Sequence, residues 1–166
     1  FAQGAFVIGT FRLPYLVIYA AIVTAIMWVL WNKTKYGKNI FAVGGNREAA
    51  IVSGVNVTMV ILMTYTLAGL LYGLGGALEA ARIGSATNNT GNMYELDAIA
   101  ACIVGGLSFS GGIGKISGIV AGVLIFQVIA YGLSFVGISP YYQYIIKGLI
   151  IVLAVAIDNY KNIKKK

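Results

Sequence analysis

The sequence predicts an all-α fold: a polytopic bundle of transmembrane helices, with about four full spans and one short or re-entrant helix. Two observations carry that prediction. The first is charge. Of 166 residues, 59% are hydrophobic and 10% charged, whereas soluble domains are about 25% charged. The second is run length, because several apolar runs approach the ~20 residues needed to cross a bilayer. Strands of a membrane barrel would alternate apolar and polar residues, and these runs do not, so the spans are helical. The chain begins at Phe1 rather than Met and reads as a piece of a longer one, with no secretory signal peptide in view.

Composition also excludes functions. The net charge of +7 does not mark a nucleic-acid surface. Lys33, Lys35, Lys38 and Arg47 fall in one loop, and Lys161, Lys164, Lys165 and Lys166 form the tail. Positive charge at the ends of apolar spans is what cytoplasmic loops carry. The single cysteine, Cys102, excludes an internal disulfide and a cysteine-built zinc cluster. The absence of histidine excludes histidine triads and histidine metal sites. No catalytic residue and no metal are expected.

In chain order, Phe1 to Arg12 is mixed and uninformative. Pro14 opens the first run, Pro14 to Trp31, at a helical turn where proline is tolerated. Tyr15 and Tyr19 mark one end and Trp28 and Trp31 the other, as in interfacial belts. The lysines that follow place that end, and residues 32–56, in the cytoplasm, with Phe1 outside. Within this loop, Glu48 to Val52 reads as a short helix. Asn46 can cap it, Glu48 lies near the positive end of its dipole, and Gly54 can end it in a left-handed conformation.

Val57 to Leu78 returns outward. Gly69, Gly73 and Ala77 form a small-residue stripe that lets helices approach closely in lipid. Glu79 to Asp97 interrupts the apolar pattern with Arg82, Ser85, Thr87, Asn88, Asn89, Thr90, Asn92 and Glu95. Leu96 to Leu107 is then only about 18 Å long at 1.5 Å per residue, and extending it over 96–109 still leaves a short or re-entrant helix. Irregular backbone at that depth must be buried in protein or line water, so this region is expected to border a translocation path. Arg82, Asn88, Asn89, Tyr94, Glu95 and Asp97 are its candidate residues. Arg82 is expected to pair with a carboxylate, or a carboxylate to cap the Leu96 helix.

Gly105, Gly106, Gly111, Gly112 and Gly114 crowd the next turn, but Lys115-Ile116-Ser117 misses the P-loop pattern. Ile113 to Val136 is the next span, with Gly114, Gly118 and Gly122 along one face for helix packing. Gly137 to Tyr142 forms an outer turn. Tyr144 to Ile157 completes the last span, and residues 159–166 form a cytoplasmic tail. Lys147 sits inside that span, either snorkelling to the outer interface or facing a cavity.

Glu48-Ala49-Ala50, three residues and then Gly54 resembles the loop by which permeases of ATP-binding-cassette importers engage their ATPase. Three longer blocks extend the resemblance. They are Tyr36 to Asn46 leading into Ser53-Gly54-Val55-Asn56-Val57; Tyr94 to Ala101 leading into Gly105-Gly106 and Ser110-Gly111-Gly112; and Pro140 to Gly148 leading into Ala154 to Asp158. Over about Lys33 to Lys166 the chain resembles the carboxy-terminal half of sugar permeases of the ribose, xylose and galactoside type. Arg82 to Asn89 looks most like the galactose/methyl-galactoside members.

The resemblance implies a multi-pass subunit of the cytoplasmic (inner) membrane that moves sugar and is not itself an enzyme. It implies an ATP-binding subunit inside, carrying ATP and Mg, an extracytoplasmic sugar-binding protein, and a second permease copy in a homodimer. Asn46, Arg47, Glu48, Ala49, Ala50 and Gly54 would form the ATPase-coupling loop. The competing reading is a secondary transporter driven through intramembrane carboxylates, Glu95 and Asp97.

Overall fold

A computed structural model describes residues 4–8 and 11–163 of the chain. The chain folds as two compact units, Phe1–Thr90 and Gly91–Lys166. Residues Lys164 to Lys166 of the expected tail lie outside the described residues.

The first unit opens with a hairpin that the sequence did not announce. Strands β1 (Ala5–Ile8) and β2 (Phe11–Pro14) pair antiparallel, with Ala5 opposite Pro14 and Ile8 opposite Phe11. Pro14 is extended, at ψ 138°, and stands just before the first turn of α1 (Tyr15–Lys33). A proline there loses nothing, since its missing N–H would have had no partner inside the helix. The Lys33 ammonium lies 5.6 Å from the Trp28 ring centroid at the far end of α1.

What reads as one loop over residues 32–56 is two helices. Thr34 ends α1, its hydroxyl donating to the Leu30 carbonyl at 2.6 Å. The same oxygen accepts from the Gly37 amide at 3.2 Å and so caps α2 (Lys35–Gly45). Gly37 is buried where a Cβ would meet the Trp31 carbonyl, so only glycine lets α2 fold back on α1. The Tyr36 and Thr64 hydroxyls, 2.9 Å apart, tie α2 to α4 (Val57–Ile83). Between them sits α3 (Arg47–Val52). Asn56 starts α4 by accepting from the Met59 amide at 3.0 Å. At 27 residues α4 is ~40 Å long, more than a hydrocarbon core requires.

The second unit is built around α5 (Tyr94–Val104), 11 residues and therefore ~16 Å long. Ala100 and Ala101 of α5 form its core with Phe126 of α6 (Ile116–Phe135), and Ile151 of α7 (Pro140–Ile163) packs against them. Contacts Gly105–Gly118 and Ala101–Gly122 make α6 antiparallel to α5. Contacts Asp97–Lys147 and Ser108–Asp158 make α7 parallel to α5.

Among the described residues, α1, α4 and α6 are long and apolar enough to cross a membrane. The fourth expected span is the apolar stretch Pro140–Ala156 within α7. The short helix expected at 96–109 starts earlier and ends earlier, at 94–104. Gly114 is not part of the packing stripe, since it precedes α6 and neighbours the Leu107 side chain. A Cβ at Gly69 or Gly73 would meet nothing within 4 Å among the described residues.

Candidate functional site

Two groups of residues stand out. The first is α3. The Asn46 Oδ1 accepts from the Ala49 amide at 2.9 Å, and Glu48 lies in the first turn. At the other end Gly54 has φ 78°, its amide donating to the Ile51 carbonyl at 2.9 Å and the Val55 amide to the Ala50 carbonyl at 3.0 Å. This paired-bond ending satisfies two carbonyls and requires a left-handed residue, which glycine supplies without a Cβ penalty. The six-residue helix is thus fixed at both ends. Ala50 turns inward, whereas Arg47, Glu48 and Ala49 are exposed and Val52 is 89% exposed. A two-end capped helix that leaves Ile51 and Val52 uncovered has an apolar knob with charge beside it.

The second group lies along α7. The Lys147 ammonium lies 2.7 Å from Asp97 Oδ1 and donates to Oδ2 at 2.9 Å. The Phe126 and Tyr144 ring centroids are each 5.8 Å from Nζ, within cation–π range. Eleven residues further on, the Asp158 carboxylate accepts from the Ser108 hydroxyl at 2.9 Å and the Phe109 amide at 3.1 Å. Ten consecutive uncharged residues, Gly148 to Ile157, separate Lys147 from Asp158.

Asp97 is therefore not a helix cap, and its partner is not Arg82. Met93 occupies the capping position of α5 without a side-chain bond. Arg82 donates to Glu79 at 2.8 Å, one turn away on α4. The reason is geometric: both ends of that pair lie on one helix face, three residues apart. Glu95 and Tyr94 are exposed on the first turn of α5. Asn88 and Asn89 are exposed within the turn that the Thr87 and Thr90 hydroxyls close at 3.0 Å. Gly118 and Gly122 do pack, and their partner is α5. Of the expected path residues, Asp97 makes a long-range ion pair, and its partner, Lys147, was left out of that set. Ser108 and Asp158 were missed altogether. The signal for Asp158 was spacing: 147 to 158 is eleven residues, three helical turns with ~20° of drift, which sets both charges on one face of α7.

These features define a polytopic helical membrane protein with a short helix capped at both ends between two spans and a charge pair between two of its helices. Residues 1–155 match the family described as branched-chain amino acid transport system / permease component, and the chain belongs to that family. It is 64% identical over 166 residues to the galactose/methyl galactoside import permease protein MglC of Escherichia coli (strain K12), covering 100% of this chain and 49% of that protein. The Treponema pallidum (strain Nichols) protein of the same name is 48% identical over 168 residues, covering 98% of this chain and 32% of that protein. The ribose import permease protein RbsC of Bacillus subtilis (strain 168) is 44% identical over 162 residues, covering 98% of this chain and 49% of that protein. The chain spans about half the length of the Escherichia coli and Bacillus subtilis relatives. No solved structure matches it.

Proposed function

We infer that this chain is the carboxy-terminal half of the permease subunit of an ATP-driven sugar importer of the inner membrane, carrying galactose or a methyl galactoside. The observation that carries the reading is 64% identity along the whole chain to a galactose/methyl galactoside import permease. The ribose permease at 44% is more distant and points to the same class of cargo. On this reading the chain performs no catalysis itself. An ATP-binding subunit with ATP and Mg docks inside, an extracytoplasmic sugar-binding protein docks outside, and two permease copies pair. Uptake of labelled galactose, ribose and xylose by the full-length permease with its partners tests it. Galactose should enter fastest, and ATP-independent uptake, or none of the three sugars, would overturn it.

The α3 helix is the coupling element on this reading, with Ile51 and Val52 entering a groove of the ATPase. Its double capping suits a part that must transmit a push without fraying. Glu48→Lys and Gly54→Val should leave insertion intact but uncouple transport from ATP hydrolysis. The valine is forced into a left-handed conformation at a cost on the order of 1–3 kcal/mol. Normal uptake with normal ATPase stimulation in both variants would remove α3 from this role.

Topology gives a second check. The lysine pattern puts Lys38 inside, and the turn after α6 puts Ser139 outside. A Lys38→Cys variant should react with impermeant thiol reagents from the cytoplasm only, and Ser139→Cys from outside only. Native Cys102, half-buried within α5, should react slowly from either side. Outside labelling at position 38 would invert the arrangement.

A further inference from the structure

We propose that Asp158 is a positioning residue of the transport cycle. Its carboxylate holds the 105–115 loop against the inner end of α7, and release of that contact opens the inner end of the path. The proposal rests on the permease reading and adds a moving part to it.

The loop is a compact body with Ser108 at its centre. The Ser108 amide donates to the Ile113 carbonyl at 3.0 Å, the Gly111 amide to the Ser108 carbonyl at 3.2 Å, and the Ser110 amide to the Ser108 hydroxyl oxygen at 3.3 Å. Ser108 itself is buried at 8% exposure, yet Phe109, Ser110, Ile113 and Lys115 around it are exposed. One carboxylate oxygen, Asp158 Oδ2, takes both the Ser108 hydroxyl and the Phe109 amide. Gly106, at φ 85°, stands where the loop leaves α5, and Gly111 and Gly112 are also left-handed. The Gly106 amide donates to the Ile103 carbonyl at 2.8 Å and the Leu107 amide to the Cys102 carbonyl at 3.0 Å, so the root of the loop is tied to α5 and the part free to move is 108–112, around the left-handed Gly111 and Gly112.

The two contacts that α7 makes along one face differ in kind. Lys147 and Asp97 are opposite charges, with two aromatic rings beside the ammonium, and a neutral water cannot replace the charge of either partner. The Asp158 contact joins a carboxylate to a hydroxyl and an amide beside exposed residues, and water can stand in for each of those donors. The lysines at 115, 161 and 164–166 put that end in the cytoplasm. The ion pair is then the fixed point, and the Asp158 contact is the one that lets go.

The test is amide hydrogen exchange on the full-length permease assembled with its ATPase, nucleotide-free and vanadate-trapped. The Phe109 and Ser110 amides should exchange about tenfold faster in one state than in the other, while the amides of α5 stay equally protected in both. Asp158→Ala and Ser108→Ala should make the loop exchange fast in both states and lower sugar imported per ATP hydrolysed at least about threefold. Asp158→Asn keeps an acceptor oxygen and should recover part of both. Equal loop protection in the two states would overturn the proposal, as would an Asp158→Ala loop that stays protected. So would α5 amides that loosen together with the loop in Asp158→Ala, which would make the contact a static brace. Exchange does not depend on the sugar. An unaltered complex that hydrolyses ATP and imports none of the three sugars would refute the permease reading by itself, separately from the latch.

Discussion

Replacing Gly122 with leucine should dismantle the second unit. A Cβ at Gly122 would collide with the Ala101 carbonyl and the Gly105 backbone, and one at Gly118 with the Gly105 carbonyl. Those neighbours are backbone, held by α5's own hydrogen bonds, so they cannot swing aside as a side-chain tip would. The same geometry changes the expectation for alanine. Spacing alone suggests that Gly118→Ala is tolerated, and alanine is the better helix former by ~1 kcal/mol. Overpacking a close contact costs about 1–3 kcal/mol, and here the contact is with immobile atoms, so the clash wins. Gly118→Ala and Gly122→Ala should both lower the melting temperature of the assembled complex by several degrees, about 4–8 °C per kcal/mol for a unit of this size. Gly122→Leu should yield little folded complex. Wild-type melting of both alanine variants would show that α6 does not sit on α5 in this way.

The second large effect belongs to the Asp97–Lys147 pair. Removing one partner of a buried pair costs about 3–5 kcal/mol, because the other charge is left in an apolar place. The Asp97 side chain is 33% exposed and that of Lys147 14%, so the lower end of the range applies. Lys147→Leu should therefore destabilise strongly, and Asp97→Asn nearly as much. This revises what a capping role would imply, since a cap survives asparagine but an ion pair does not. Removing both charges, Asp97→Leu with Lys147→Leu, should come close to wild-type stability, as apolar replacements of buried pairs commonly do. Melting of the wild type, Asp97→Leu, Lys147→Leu and the double variant gives the coupling energy directly. If the two single changes simply add in the double variant, the pair contributes nothing and another role must explain both residues.

The parts of this fold that sequence shows are those set by local chemistry. The capped helix at Asn46–Gly54 was readable because an amide side chain before Arg47 and a glycine after Ser53 act on their own neighbours. The apolar runs were readable because lipid imposes length. The hairpin formed by 5–8 and 11–14 was not, since strands of four residues are too short to show a period. Gly37 and Thr34 hide the bend between α1 and α2 for a related reason: close approach depends on what folds back, not on what precedes. The site was legible as composition and not as pairing. Asp97, Arg82 and Lys147 all announced themselves as charges in apolar surroundings, but Arg82 found Glu79 one turn away and Asp97 found a lysine fifty positions later. Short range favours the pair that a single helix face already provides, and long range needs the register of two helices. Asp158 gave no sign of its contact because its two donors, Ser108 and the Phe109 amide, carry no charge to suggest them.

The distance along the chain between Asp97 and Lys147 also has a consequence for biogenesis. At translation rates of about 5–20 residues per second, the carboxylate leaves the ribosome roughly 3–10 s before its counter-ion does. For that interval α5 is a helix of 11 residues with two acids, Glu95 and Asp97, and no base, too short to span and too charged to rest in hydrocarbon. It must wait at the lipid interface or in the insertion machinery until α7 arrives. α6 is long and apolar enough to cross by itself, whereas α5 meets its counter-ion only when Lys147 of α7 has been made.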